Sequence, residues 1–530
     1  MSLTRSHWHW GYSERLPDEG AREALGGMVE AFLGVSLPPP CALPDPAAAR
    51  IAASRRRVPE GFEAIVTDAP TVRRDHTYGR AWRDLYRGFV GDFSAAPDLV
   101  ARPRHEDDVA ALLAWASREG VVVTPYGGGT SVVAGIEADR DAHPATLTLS
   151  LAALNRVLGV DPIDRLADIE AGATGPEIEA QLGPFTLRHY PQSFEFSTLG
   201  GWIATRAGGH FATRYTHIDD RVTAVRMLTP AGVWQSARVP ASGAGIDPVR
   251  LVCGSEGTLG VITRATVRVL PRPRWRHAAS LRFEHFHDAV EAARRVAQSE
   301  LAPANCRVLD ATEALINRVS GADQASVLLL GTESADSDPI ADLERCVALA
   351  QSAGGRLIAL KRREDDGARE ATGASWREAF LDGPYLQSAL LTLGVLVDTF
   401  ETATTWSRFA TLDRALREAL HEVLVRTGGA GHVSCRFTHV YPDGPAPYYT
   451  FFTRIAPHDP LGQWAAIKHA VSEVLSAHGA TITHHHAVGR THRPWFARET
   501  PAPYRAVHEA MRRALDPAAI LAPGVLFDRE

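Results

Sequence analysis

The stretch "HEDDVAALLAWASREGVVVTPYGGGTSV", residues 105–132, decides the fold. Its first part carries apolar residues at helical spacing, acids in the opening turn and Gly120 as a stop, which predicts a helix. "DLVARP" before it reads as a short strand, and "VVVTPY" after it as a buried strand. The resulting β-α-β unit empties into three consecutive glycines and a Thr-Ser pair at 127–131. Glycines let a backbone approach a pyrophosphate closely, and free N–H groups with hydroxyls can satisfy its oxygens. The spacing is neither GxGxxG nor a Walker loop, and a tight turn without a ligand is the competing reading.

Two further loops have the same chemistry. "YPQSFEFSTLGGWIATRAGG" (190–209) gathers Ser193, Ser197 and Thr198 ahead of a Gly-Gly pair and a helix-like stretch. "CGSEGTLGVIT" (253–263) adds Ser255 and Thr258. Three Gly/Ser/Thr loops over about 130 residues suit one long polar ligand such as a dinucleotide, held mainly by backbone amides.

Outward from these loops, residues 145–270 alternate short apolar runs with Gly and Pro, which favours a second α+β lobe over a doubly wound sheet. After "PRPRW" (271–275) helices such as "HDAVEAARRVAQSE" alternate with strand-like runs such as "ASVLLLGTES". The expected fold is α+β: an N-terminal region over 1–95, a two-lobed binding domain over 96–275, a cap over 276–500, and a tail over 501–530 packing back near the ligand. A chain of 530 residues exceeds one hydrophobic core. The net charge of −6 argues against a nucleic-acid partner, and of 56 basic residues only Lys361 and Lys468 are lysine, which reads as high-GC bacterial coding. The longest apolar run, "SALLTLGVLV" (388–397), falls short of the ~18 residues of a membrane span. The N-terminus has no apolar signal core, and five scattered cysteines without a CxxC read as thiols of a reducing compartment, so the expected location is the cytoplasm.

With these loops the chain resembles the FAD-binding domain of the vanillyl-alcohol-oxidase (PCMH) type. More closely, it resembles alkyldihydroxyacetonephosphate synthases and their bacterial relatives. The likeness runs from "WHWGY" (8–12) through "RVLD" (307–310), "VDTFETATTW" (397–406), "SCRF" (434–437) and "YYTFF" (448–452) to "THHHAVGR" (483–490). It implies non-covalent FAD, since "PYGGGTSV" holds no histidine or cysteine for a tether. Cofactor contacts are expected from Pro125, Tyr126, Gly127, Gly128, Gly129, Thr130 and Ser131 of the first loop. The second loop would add Gln192, Ser193, Phe194, Glu195, Phe196, Ser197 and Thr198, then Thr205, Arg206, Ala207 and Gly208. The third would add Glu256, Gly257, Thr258, Leu259, Gly260, Val261 and Ile262.

The resemblance also implies an active site. Tyr448 matches the family's acid/base tyrosine, and neighbouring cations are expected to lower its pKa. Arg307 matches an active-site arginine that also binds substrate; a solvated arginine is the alternative. Arg436 is read as structural. His484, His485 and His486 match the histidine segment lining the substrate side of the flavin. Read as a strand, three adjacent histidines cannot all face one ion, so no metal is expected. Two positions depart from the family: Gln387 stands where a substrate-binding arginine belongs, with Ser388 after it, and Gln192 replaces an aspartate. The implied reaction is ester-to-ether exchange through a flavin N5 adduct, with net oxidation of an alcohol or 2-hydroxy acid as the alternative. A small-molecule or lipid-like substrate, peripheral membrane contact and a homodimer complete the expectation.

Overall fold

The computed structural model describes residues 3–317, 319, 324–364 and 375–527, the side chains of 375–382 excepted. The helix of the opening stretch spans Glu106–Glu119, buries Val109, Leu112, Leu113 and Ala116, and ends at Gly120 with φ 63°. It connects Leu99–Ala101 to Val122–Tyr126, which run parallel on either side of Thr146–Ser150 in a four-stranded sheet of order Val66–Thr67, Leu99–Ala101, Thr146–Ser150, Val122–Tyr126. The first of these strands comes from upstream of residue 96. The free edge of Val122–Tyr126 is closed by the C-terminal tail. Val123 N–H donates to the Ile520 carbonyl at 2.8 Å, and Ala522 N–H donates to that of Val123 at 2.9 Å.

The second lobe is an antiparallel five-stranded sheet, with Val222–Thr229 and Val261–Arg268 at its centre. Apolar side chains from both lobes merge into one core that includes Leu147, Ile169, Leu199, Trp202 and Leu521.

The cap is a seven-stranded sheet whose last three strands are Gly431–Val440, Pro445–Arg454 and Val395–Glu401. Helices Phe286–Ala297, Ile340–Gln351, Trp406–Gly428 and Pro460–Ala477 bury their apolar faces on this sheet. Strand alternation sorts the two tyrosines of "YYTFF". Tyr449 turns into the core, where its ring stacks on Phe400 with centroids 4.8 Å apart. Tyr448 turns to the opposite face, toward the glycine loops. Arg436, Tyr448 and Glu401 stand directly opposite one another across three neighbouring strands. That row is the floor of the site.

The N-terminal segment runs across the glycine loops before entering helix Glu19–Leu33, which starts on the Asp18 side chain and ends at Gly34 in the left-handed region. That helix packs its Val29 and Leu33 on Leu390, Leu393 and Val395 of the cap. Among the described residues, no helix is long and apolar enough to cross a membrane.

Candidate active site

The three glycine loops converge on one cavity of about 1270 Å³, whose opposite wall is the cap sheet. Pro125 to Ser131 all line it, as do Gln192, Ser193, Ser197, Thr198, Thr205, Ala207, Gly208, Glu256, Gly257, Gly260 and Ile262. Seven expected contacts are placed elsewhere. Phe194 packs on Tyr190, Glu195 pairs with Arg15, and the Phe196 ring packs against Trp10 and Tyr12. Arg206 adopts φ 52° and pairs with Asp219, while Thr258 bonds the Ser255 carbonyl. Leu259 and Val261 belong to the core.

The glycines serve a purpose the sequence did not reveal. A Cβ on Gly128 would collide with the Phe196 carbonyl, and one on Gly127 with the Thr198 hydroxyl. Both are bare so that the first loop can lock onto the second. The cavity then offers hydroxyls, backbone amides and apolar walls such as Pro125 and Ile262, the donor set a dinucleotide flavin requires.

From the cap, Arg307, Arg436, Tyr448, His485 and His486 reach the cavity, and Gln387 lines it from helix Ser375–Leu391. Arg307 is 5 % exposed and contacts His210, and burial pushes its pKa down to about 9. Arg436, read from sequence as structural, lies 4.1 Å over the Tyr448 ring and is paired with buried Glu313 at 2.9 Å. The Tyr448 hydroxyl donates to Thr399 Oγ1 at 2.9 Å. Its pKa is raised, not lowered: burial outweighs the Arg436 cation, whose charge Glu313 already compensates. Gln387 donates Nε2–H to the Val397 carbonyl at 2.8 Å.

The histidine segment is a bend rather than a strand, so the alternation expected for it does not apply. The Glu401 carboxylate accepts the backbone N–H of His484 (2.7 Å), His485 (3.2 Å) and His486 (3.0 Å), and the Thr483 hydroxyl at 2.6 Å. Downstream, Glu256 accepts the N–H groups of Val488 and Gly489, both at 2.8 Å. Between the two anchors Ala487 takes φ 74°. Two carboxyl groups, buried Glu401 from the cap and half-buried Glu256 from the third glycine loop, thus suspend the histidines between the domains.

His484 turns away from the cavity to Tyr441 (2.8 Å) and His217 (3.2 Å). Nitrogens of His439, His484 and His485 lie within 4.8 Å of one another, a spacing a metal ion could use. They are also engaged in hydrogen bonds: His484 Nδ1 is 3.0 Å from His485 Nδ1, and His439 Nε2 is 2.8 Å from the Gly209 carbonyl. Burial drives the imidazoles toward neutrality, His486 down to about 3 and His485 in the same direction, against the opposing pull of Glu401.

Fold and site together define an FAD-dependent flavoenzyme. Residues 97–238 match the "FAD binding domain" family model and residues 272–526 the "FAD linked oxidases, C-terminal domain" model. Alkyldihydroxyacetonephosphate synthase of Dictyostelium discoideum is 30% identical over 482 residues, covering 87% of this chain and 78% of that protein. The chain belongs to the alkyldihydroxyacetonephosphate synthase-like flavoproteins. A solved alkyldihydroxyacetonephosphate synthase superposes with TM-score 0.83 over 98% of both chains at 24% identity. Glycolate oxidase subunit GlcD of Bacillus subtilis is 24% identical over 455 residues, 83% of this chain and 90% of that protein.

Proposed function

We propose that the enzyme exchanges the ester-linked acyl chain of a dihydroxyacetone-type ester for a long-chain alcohol, giving an ether and a free fatty acid without net oxidation. The observation that carries this reading is the continuity of the cavity. The cavity lined by Arg307 and Tyr448 is also lined by Leu25, Met28, Val29 and Phe32 of helix Glu19–Leu33, by Leu309, and by Leu315 of helix Ala311–Ile316. Met28 and Leu315 are 55% and 56% exposed, so the apolar lining of the cavity extends to the solvent-exposed surface. A long aliphatic chain fits such a lining better than a small hydroxy acid.

FAD, held by the glycine loops, would supply an electron-poor isoalloxazine as the electron acceptor. Arg307 holds the oxygen-bearing headgroup. Tyr448, oriented by Thr399, is the acid/base for the proton on the reacting carbon. Burial keeps its hydroxyl protonated, so that proton must first pass to a neutral imidazole. His485 and His486, with ring centroids 6.0 and 5.3 Å from its own, are the acceptors at hand for it and for hydrogen bonds from the exchanging hydroxyl. FAD is held without a covalent tether, and the histidines act without metal.

Gln387 supports a second reading, net oxidation of an alcohol or hydroxy acid, because it removes a cation that a phosphate ester would use. The discriminating experiment supplies acyl-dihydroxyacetone phosphate and hexadecanol without oxygen. Fatty acid released with the flavin spectrum retained supports exchange. Bleaching of the flavin by an alcohol or hydroxy acid, with no fatty acid from the ester, overturns it.

A further inference from the structure

Arg80 lies upstream of the matched FAD-binding segment and belongs to none of the glycine loops. Its side chain nevertheless lines the cavity beside Gly127 to Ser131 and is 8 % exposed. Its backbone N–H donates to the Ser131 carbonyl at 2.6 Å. Its guanidinium donates to the carbonyls of Gly79 (2.8 Å) and Ser6 (3.4 Å), and its Nε has no hydrogen-bond partner. Among the described residues, no carboxylate pairs with it. Asp84, close by in sequence, approaches Arg83 instead, at 3.7 Å.

A second arginine adds to the imbalance. Arg5, on the N-terminal segment, donates to the Gly128 carbonyl at 3.0 Å and lies 4.1 Å over the Phe196 ring. Burial, with repulsion from Arg5 second to it, depresses the Arg80 pKa to about 10. A buried guanidinium with a like charge nearby and no anion is strongly disfavoured, so a counter-charge is missing from the protein itself. The opening of the GGGTS loop is where a diphosphate would supply it.

We infer that Arg80, assisted by Arg5, is the counter-cation of the FAD diphosphate, so that the N-terminal segment forms part of the cofactor site. Position selects this anion over a substrate phosphate. Arg80 sits against Gly79 and Ser131, whereas the reacting groups Arg307 and Tyr448 stand on the cap sheet. The bond formed is a charge-assisted hydrogen bond, and its loss appears in cofactor retention before it appears in chemistry.

The test follows FAD release from diluted holoenzyme by flavin fluorescence, which requires no substrate. Arg80→Gln should release FAD at least about tenfold faster than wild type, and Arg5→Gln about threefold faster. Arg80→Lys keeps the charge but loses the planar fork, and should stay within about threefold of wild type. Release from Arg80→Gln within about twofold of wild type overturns the inference, as expected if the anion were a substrate phosphate. Arg80→Lys as leaky as Arg80→Gln also overturns it, because the bonds to Gly79 and Ser6, not the charge, would then matter. If Arg80→Gln does not fold, exposed Arg5→Gln decides, and a wild-type release rate rejects the idea.

Discussion

The Glu401 carboxylate accepts the His485 backbone N–H at 3.2 Å and lies 3.4 Å from the Nδ1 of the same residue. One side chain therefore fixes both the position and the electrostatics of a histidine that lines the cavity. Burial alone would strip basicity from the imidazoles, and the nearby carboxylate restores part of it. In Glu401→Gln one amide oxygen faces donors that two carboxylate oxygens served, and the amide N–H₂ meets N–H groups. The cost is expected at about 1–3 kcal/mol, seen as a lower melting temperature, with FAD retained and turnover down by tenfold or more. Unchanged turnover in flavin-replete Glu401→Gln would show that the clamp is irrelevant to catalysis.

His485→Ala should retain FAD and lose activity by roughly 10²–10⁴-fold, the range for a missing acid/base group. The His439, His484 and His485 nitrogens are close enough to hold an ion, so metal content must be measured alongside. Enzyme washed extensively with chelator should keep its activity. Stoichiometric zinc surviving the wash, with activity lost only when it is stripped, would reassign these histidines as ligands.

Gly128→Ala should yield colourless protein, since the added methyl collides with the Phe196 carbonyl and pries two FAD loops apart. Gly27, in helix Glu19–Leu33, has nothing within 4 Å of a Cβ, so Gly27→Ala is the tolerated control. In wild type, acid or heat should release all the flavin. Flavin that stays with the denatured chain would refute a non-covalent site.

Much of this architecture is legible in the sequence because it is local. The helix after His105, the glycine loops and the buried runs of the sheets all announce themselves by spacing and composition. Long-range pairing does not. Glu401 meets backbone N–H groups more than 80 residues away, and a backbone donor leaves no mark in a sequence. Arg80 precedes the motif it serves. Arg436 looks ordinary until strand register sets it opposite Tyr448. The histidine run misled for the same reason: its N–H groups go to carboxylates rather than to a β-ladder, so strand alternation never governed it.

Stability should fall on acidification. Burial pushes His486 down to about 3 and His7, His9, His492 and His508 down to about 4, from 6.5. Below pH 6.5 the unfolded chain takes up protons at these positions while the folded chain does not. Their contribution is therefore complete above pH 6.5 and is lost as pH drops toward 4. Glu256 and Asp84, raised to about 7, and Asp310, raised to about 6, act in the opposite sense between those values and about 4, but are fewer. The melting temperature should drop between pH 6.5 and 4.5, and His486→Asn should flatten that slope. A melting temperature that climbs over this interval would mean the acids dominate.

The remaining prediction concerns Gln387, which lines the cavity and donates to the Val397 carbonyl at 2.8 Å. The resemblance places a substrate-binding arginine here, and glutamine can hydrogen-bond a phosphate but cannot neutralise it. A charge-assisted hydrogen bond contributes about 1.5–3 kcal/mol, so its absence should weaken a phosphate ester by tenfold to more than a hundredfold. Arg436 is a poor replacement, because Glu313 already takes its charge at 2.9 Å. The resemblance implies an acid at the next position, where this chain has Ser388, whose hydroxyl serves the Pro384 carbonyl and the Trp10 N–H. Ser388 is fully buried and lies outside the cavity lining, so Gln387 alone bears on the substrate, and a headgroup less anionic than a phosphate ester is the one it would suit. Gln387→Arg should lower KM for acyl-dihydroxyacetone phosphate by at least about tenfold while impairing the natural reaction. If wild-type enzyme already turns over that ester efficiently and Gln387→Arg leaves its KM unchanged, the headgroup is a phosphate after all and another cation binds it.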